Sequence, residues 1–144
     1  MTTRQTLVSI DVKVTGPVAD GSTSPAVQRM AGAMVQSVVQ LGEERLTLMA
    51  RPRPGGVFLA VHQAKRGHAS VGNFRRTINA ETRELHARIS TNSIYGPWLE
   101  GVSSRNDQTR FKGYAMFRRT REWLQGQVPQ VVRVHMARFT QKLK

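Results

Sequence analysis

The pattern that most constrains the fold is a long amphipathic helix, marked at both ends, in the first third of the chain. Ser24 and Pro25 place a capping hydroxyl directly before a proline suited to a first helical turn. The sequence RPRPGG, from Arg51 to Gly56, is rich in proline and glycine and cannot continue a helix. We therefore predict a helix from Ser24 to about Ala50. Apolar residues at steps of three, four or seven predict one stripe facing a core: Val27, Met30, Met34, Val38, Leu41 and Leu48.

Alternating patterns on both sides of this helix predict β-structure. From Val8 to Val14 every second residue is valine or isoleucine, so we predict a strand over Thr6 to Val14 with one buried face. Residues 74–78 and 85–89 alternate in the same way, and the polar residues 79–84 lie between them. These two segments predict a β-hairpin.

Two further segments complete the chain. We predict that residues 51–72 form mostly an extended loop arm, because residues 63–70 follow no clear period, although Val57 to His62 could form a short strand. Loops of this length are commonly functional. Pro129 lies inside the C-terminal helical pattern, where it removes one hydrogen bond, so this segment is either a kinked helix or two helices that meet near residues 126–129. Of these we favour two helical pieces. The helical spacing itself is carried by Leu124, Val128, Val131, His135, Phe139 and Leu143.

The length of 144 residues suits a single domain, residues 1–144, that buries roughly two-thirds of its unfolded surface. The chain has no cysteine, which excludes a disulfide framework, a thiolate metal site and a cysteine nucleophile. No signal-peptide pattern opens the sequence, and no apolar run approaches the roughly 18 residues needed to span a bilayer. We therefore expect a protein made in the cytoplasm, with no membrane partner.

The charge is strongly positive, at a formal +13 with an isoelectric point near 11.6. From Arg105 to the C-terminus there are 10 basic and 2 acidic residues, a local excess of 8. This balance favours nucleic acid, an anionic surface or an acidic protein partner, although the charges could equally decorate a solvated helix. A free nucleic-acid-binding protein is the main alternative. Against it, the sequence has no helix-turn-helix spacing, no zinc ligands and no aromatic RNA-binding signature.

Candidate catalytic groups do not form a recognisable constellation. The histidines His62, His68, His86 and His135 are scattered, and none has a two-ligand spacing. No GxSxG turn follows a strand, and the Gly55-Gly56 pair lacks the lysine and hydroxyl of a phosphate-binding loop. We therefore predict a protein that is not an enzyme, with no catalytic residue, cofactor or metal.

The block NSIYGPWLEGVSSRN, from Asn92 to Asn106, is the most informative loop. Tyr95 and Trp98 flank a proline, and Glu100 follows them. Amphipathic aromatic residues in such a setting often anchor an interface, whereas the alternative is a lid over the hydrophobic core. The residues alone leave both interpretations open.

Three motifs in order give this block a family context: SVGNFRRTI at 70–78, IYGPWLEGVSSR at 94–105 and TRFKGYAMFRRT at 109–120. Their order and spacing resemble those of the minor head-to-tail joining proteins of long-tailed bacteriophages, which carry TGxLRxSI, YAxxVExGT and PFLRPA elements after a long helix. The resemblance covers almost the whole chain from Ser24 onward. Val71 stands where the family has threonine, Gly101-Val102-Ser103 replaces the glycine-threonine turn, and the third motif lacks its proline.

The resemblance implies an α+β fold, with a small antiparallel sheet, a long packed helix and a C-terminal helical segment. It also implies a structural virion protein at the head-to-tail interface, in a neck or tail-terminator ring that joins the DNA-filled head to the tail tube. The implied partners are other copies of the chain, with a hexamer favoured, the adjacent connector or stopper and tail-tube proteins, and packaged DNA. A tail or capsid subunit elsewhere in the particle is a further alternative.

Candidate contact residues follow from this setting. Tyr95, Trp98 and Glu100 are predicted to pack the turn and contact the next subunit, and Arg75 and Arg76 to meet carboxylates or DNA. The C-terminal arginines are predicted to face a DNA-filled lumen or an acidic partner: Arg118, Arg119, Arg121, Arg133 and Arg138.

Overall fold

The computed structural model describes residues 8–50, 74–93 and 95–143. The predicted arm at 51–72 lies outside these residues. The remaining elements form the expected α+β fold, with a three-stranded antiparallel sheet, a long helix on the sheet and a second long helix at the C-terminus. Among the described residues, no helix has the length and apolar character required to span a membrane.

The sheet consists of β1 (Ser9–Lys13), β2 (Ile78–Arg83) and β3 (His86–Thr91), in the order β1-β3-β2. The predicted first strand is confirmed. A hairpin is also present, but its first strand, β2, occupies residues 78–83, most of which were predicted to connect the two strands. Residues 74–76 are helical, and Thr77 closes this turn by donating from its hydroxyl to the Phe74 carbonyl at 2.6 Å. Phe74, which the alternation predicted to lie in a strand, lies in this helical turn, and its side chain is buried.

The first long helix, α1 (Pro25–Met49), begins and ends where the sequence predicts. The Ser24 hydroxyl accepts a hydrogen bond from the Val27 N–H, and the helix ends at Ala50. Its buried face differs from the predicted stripe, because Leu48 is exposed and Val38 alone of that stripe is fully buried. Small and branched residues form most of the buried face instead: Ala31, Val35, Val39, Gly42, Leu46 and Met49.

The reason for this difference is that α1 contacts structure on two sides. A Cβ atom on Gly42 would lie 2.6 Å from Ile89 Cδ1 of the sheet and 2.8 Å from Leu124 Cδ1 of the C-terminal helix. A methyl group at residue 42 would therefore have to displace the ends of both side chains. The spacing of large apolar residues predicted one core-facing side, whereas the helix lies between two neighbours.

The chain then forms two short helices, α2 (Gly96–Glu100) and α3 (Ser104–Gln108), before the long helix α4 (Met116–Lys142). The prediction of two helical pieces was wrong, since α4 continues through Pro129. Leu124 and Val131, on either side of Pro129, are both buried in the core, and Pro129 itself is exposed. Packing on both sides of the proline compensates for the hydrogen bond that it removes.

Three contacts fix α4 antiparallel to α1. Near the start of α4, the Thr120 hydroxyl donates to Met49 Sδ at 3.5 Å. The Arg45 guanidinium lies 4.5 Å from the centre of the Trp123 ring, a cation–π contact. Further along, Ser37 Oγ and His135 Nε2 are 2.9 Å apart. These contacts hold the start of α4 beside the end of α1.

Candidate functional site

Gly101 and Gly113 bring two loops into direct backbone contact. Both have positive φ angles, of 96° and 90°. A Cβ atom on Gly101 would collide with the Lys112 carbonyl oxygen, and one on Gly113 would collide with the Gly101 backbone. The Tyr114 N–H donates to the Leu99 carbonyl at 2.6 Å beside this contact. We call this paired approach the glycine clasp, and it joins the second and third motifs of the sequence.

Asn106 holds the clasp from inside. Its side chain is almost completely buried, and both ends of its amide are hydrogen-bonded. Asn106 Oδ1 accepts from the Ser103 N–H at 3.0 Å, and Nδ2 donates to the Trp98 and Phe111 carbonyls, both at 3.0 Å. A buried amide satisfied in this way fixes the positions of three separate backbone segments.

Glu100 caps the long helix α4 from outside the helix. Its two carboxylate oxygens accept hydrogen bonds from the Phe117 N–H at 2.9 Å and the Arg118 N–H at 2.8 Å. Ala115, at the N-cap position, has a left-handed backbone and no side chain that could do this. The negative charge is also favourable at the positive end of the helix dipole. Glu100 thus has a role within the chain, and its predicted contact with a neighbouring subunit stays a prediction.

Aromatic rings cover the clasp. The Trp98 and Phe111 ring centres are 4.9 Å apart, and those of Phe111 and Tyr114 are 5.0 Å apart in an edge-to-face arrangement. Trp98 is half-buried by these contacts. Of the two interpretations that the sequence left open, an interface anchor or a lid over the core, this burial favours the packing role. Tyr95 is different, because it precedes α2 and is 56% exposed. It is the aromatic residue of this block that the fold presents to solvent.

A chain of hydroxyl contacts connects the first motif to the block. The Thr77 and Thr91 hydroxyls are 2.7 Å apart, and the Ser93 N–H donates to Thr91 Oγ1 at 3.2 Å. Arg75 and Arg76 lie on the exposed side of the helical turn 74–76 that precedes Thr77. All three motifs therefore contact one continuous region, although residues 79–93 separate the first motif from the second.

The predicted C-terminal arginines are all exposed but do not form one patch. Arg118, Arg119 and Arg121 lie in the first turns of α4, and Arg133 and Arg138 lie several turns later. Because successive helical residues are rotated by about 100°, these side chains point in different directions around the helix. The structure therefore brings the arginines into two groups, one near the clasp and one near the C-terminus.

The outer face of the sheet carries a row of alternating charges, with Asp11 opposite Arg88 and Arg88 opposite Glu81. Arg88 Nε donates to Asp11 Oδ1 at 2.8 Å, and His86 Nε2 is 3.2 Å from the same oxygen. The hydrogen bond from Arg88 holds the pKa of Asp11 below its ordinary value of 3.8, and His86 adds to this effect. This polar face can accept a charged partner, but it resembles an ordinary solvated sheet surface.

Groups capable of chemistry are sparse in the described residues. No cluster of three or more histidine, cysteine, aspartate or glutamate residues there could hold a metal ion. Ser37 and His135 form a hydrogen-bonded pair between α1 and α4, which the sequence spacing could not reveal because the residues are 98 positions apart. A nucleophile would also need an oriented base and an oxyanion site. We assign this pair to helix packing.

The residues that organise the site were only partly foreseen. The sequence singled out Tyr95, Trp98 and Glu100, whereas Asn106 was only the last residue of the block. The signal that could have found Asn106 is the spacing Ser103-x-x-Asn106, in which the two residues satisfy each other in a capping box. Comparisons of the chain with protein-family models, with curated proteins and with solved structures returned no match.

Proposed function

We propose that the chain is a structural subunit of the bacteriophage head-to-tail junction. Copies of it form a neck or tail-terminator ring that joins the DNA-filled head to the tail tube. The ring is a homo-oligomer, with a hexamer favoured from the family resemblance, and its neighbours are connector or stopper proteins and tail-tube proteins. Its work is assembly within the virion, so the proposal involves no enzymatic step.

The observation that carries the proposal is that the three resembling motifs form one connected framework. The glycine clasp joins the second motif to the third, and the Thr77–Thr91 contact joins the first motif to the strand that leads into the second. Each motif residue with an evident role packs, caps or turns the backbone. Motifs that preserve packing are what a subunit needs when its shape, rather than its chemistry, determines how it assembles.

In this proposal the framework presents contact residues to neighbouring molecules. Tyr95 directly precedes a short helix whose backbone is held by Asn106 and whose Glu100 side chain bonds to α4, so little backbone entropy is lost when the Tyr95 ring is covered. Arg75 and Arg76 lie on the exposed helical turn 74–76 and would meet carboxylates or DNA. A ring closes when each copy uses two different surfaces, one for each neighbour.

Deletion of the gene from the phage genome that carries it tests the proposal directly. We expect lysates with DNA-filled heads and separate tails, which are then joined when the purified protein is added. Immunogold electron microscopy of intact particles should place the protein at the junction. Normal joined particles after deletion, or label confined to the tail shaft or capsid shell, would overturn the proposal. Label on the shaft or shell would instead support a tail or capsid subunit elsewhere in the particle.

A basic nucleic-acid-binding protein is the second candidate, favoured by the exposed arginines of α4 and the formal charge of +13. Binding through phosphates would be insensitive to sequence and would weaken with salt, by a slope of about 0.9 for each neutralised phosphate. Titration of purified protein with labelled duplex DNA at rising salt measures this slope. Tight binding by a protein that is absent from purified particles favours this candidate. Absence of binding at about 50 mM salt removes DNA contact from either proposal.

A further inference from the structure

The second half of α4 carries apolar side chains that the described part of the chain leaves partly exposed. Val128 and Val132 are each 38% exposed, Met136 is 45% exposed and Leu143 at the helix end is 72% exposed. Their spacing of four, four and seven places them on one side of the helix, and the half-buried Phe139 falls on the same line. We call these five residues the α4 stripe. It is about 22 Å long at 1.5 Å per residue.

The stripe is separate from the surface that packs α4 onto α1. Leu124 and Val131 are buried and belong to the core, whereas the stripe residues lie beside them around the helix. Val134 is a useful contrast, because it is 37% exposed but points roughly opposite to the stripe, with helical residues about 100° apart. A single exposed valine is ordinary, whereas an exposed apolar row that follows one helix face marks a contact surface.

Basic residues border the stripe on both sides. Helical geometry places Arg133 along one border and Lys142 along the other, and Arg121 lies one turn or more before the stripe on the same side. All three are exposed. No acidic residue follows Glu122 in the sequence. A partner that covers the apolar row must therefore bring negative charge to both borders.

The sequence offers no acidic segment that would complement these borders. Its 9 acidic residues are scattered over strands, turns and helices, and residues 1–7 and 51–73 contain basic residues but no acidic ones. A second copy of α4 laid on the stripe would bring arginine against arginine, which is unfavourable. The complement has to come from a different protein.

We propose that the α4 stripe binds an acidic amphipathic helix of another protein. The apolar side of that helix would pack along the stripe, as in other helix-in-groove complexes, and its glutamate or aspartate residues would meet Arg133 and Lys142. A membrane surface fits less well. Helices that lie in a bilayer interface insert a wide apolar face, whereas here one side of α4 is already occupied by α1.

Binding of an acidic helix to the α4 stripe is a function beyond the proposed ring and does not depend on it. The stripe lies on a helix face that is distinct from the glycine clasp and from Tyr95. A protein that forms no ring could still bind the acidic helix, and a ring could form without this contact. The two proposals are therefore tested by different variants.

The probe is a synthetic, fluorescein-labelled peptide of about 22 residues, with leucine on one helical side and glutamate on the borders. Fluorescence anisotropy should show saturable binding to the full-length protein that weakens as salt increases. A V132S/M136S double variant should lower the affinity at least about tenfold, since it removes the centre of the apolar row. The matched V134S variant should stay within about twofold of the original chain. Circular dichroism and urea midpoints should be alike for all three, because the substituted residues are exposed.

Control experiments distinguish an acidic helix from the other possible occupants of the stripe, which are a second copy of the chain and a membrane. A peptide with lysine in place of glutamate, and a scrambled peptide of the original composition, should both fail to bind. The proposal is overturned if the acidic peptide does not bind at about 100 μM, or if V134S weakens binding as much as the double variant. It is also overturned if the peptide fails to bind while the double variant loses self-association in sedimentation velocity. If the original chain binds phosphatidylglycerol vesicles but not the peptide, and the double variant loses the vesicle binding, the stripe is a membrane contact instead.

Discussion

At the scale of single residues, the two positions of the glycine clasp tolerate substitution least. Gly101→Ala and Gly113→Ala should each lower the free energy of unfolding by at least about 2 kcal/mol, because a methyl group meets backbone atoms at a positive φ angle. Urea denaturation of each purified variant measures this loss. A cost near zero would mean that the two loops do not approach each other as closely as the structure has them.

Two other glycines separate the causes of that loss. Gly16 has a positive φ of 89° but open space around it, so Gly16→Ala should cost only the backbone strain, about 1 kcal/mol. Gly126 lies inside α4 and has open space where a methyl group would project, so Gly126→Ala should stabilise the protein by about 0.5 to 1 kcal/mol. An equal loss for Gly16 and Gly101 would assign the effect to strain rather than to collision.

Asp11 makes a small, pH-dependent contribution on the outer face of the sheet. Since Arg88 holds the pKa of Asp11 below 3.8 in the folded chain, ionised Asp11 favours folding above that pH. This contribution should be lost as the pH falls through the lowered pKa. The difference in unfolding free energy between the original chain and Asp11→Asn should therefore be present at neutral pH and vanish in strong acid. High salt should also reduce it, because the pair is exposed. A difference that grows in acid would contradict the assignment.

At the scale of elements, the ends of α1 were predictable and its buried face was not. Ser24, Pro25 and the proline-rich sequence after Ala50 act on the backbone nearby, so their effect can be read locally. The buried face depends on the sheet and α4 packing against two sides of the helix. The spacing of residues within the helix does not show this tertiary packing. For the same reason residues 74–76 alternate like a strand yet form a helical turn, which the Thr77 hydroxyl closes.

Pro129 gives a direct test of α4 as one element. A proline in a helix interior leaves the carbonyl four residues earlier, that of Gln125, without its helical donor. Pro129→Ala should restore that bond and raise the unfolding free energy by about 1 to 3 kcal/mol, since residue 129 is exposed and no packing is lost. Thermal or urea unfolding would detect the change. An unchanged or lower stability would favour the two helical pieces that the sequence alone predicts.

At the scale of the whole molecule, the sequence predicted the turn around Tyr95 and Trp98 but not what fixes it. The hydrogen bonds of Asn106 reach the Trp98 and Phe111 carbonyls, and Glu100 reaches the start of α4 17 and 18 residues away. Such partners become visible only when the loops are folded together. One consequence concerns Glu100→Lys, which would remove the cap of α4. Failed assembly in that variant would therefore reflect a damaged fold as readily as a lost interface.

Tyr95 allows the interface to be tested without damaging the fold. Its ring is exposed, so Tyr95→Ala should leave the urea midpoint unchanged, whereas Trp98→Ala should lower it because Trp98 packs against Phe111. If Tyr95 is an anchor between subunits, its truncation should weaken self-association at least about tenfold in sedimentation velocity or native mass spectrometry. Val102→Ser is the matched control, since Val102 is similarly exposed on the same clasp and should leave the oligomer intact. An oligomer that survives Tyr95→Ala at every concentration would remove Tyr95 from the subunit interface, and the ring would then have to close through another surface.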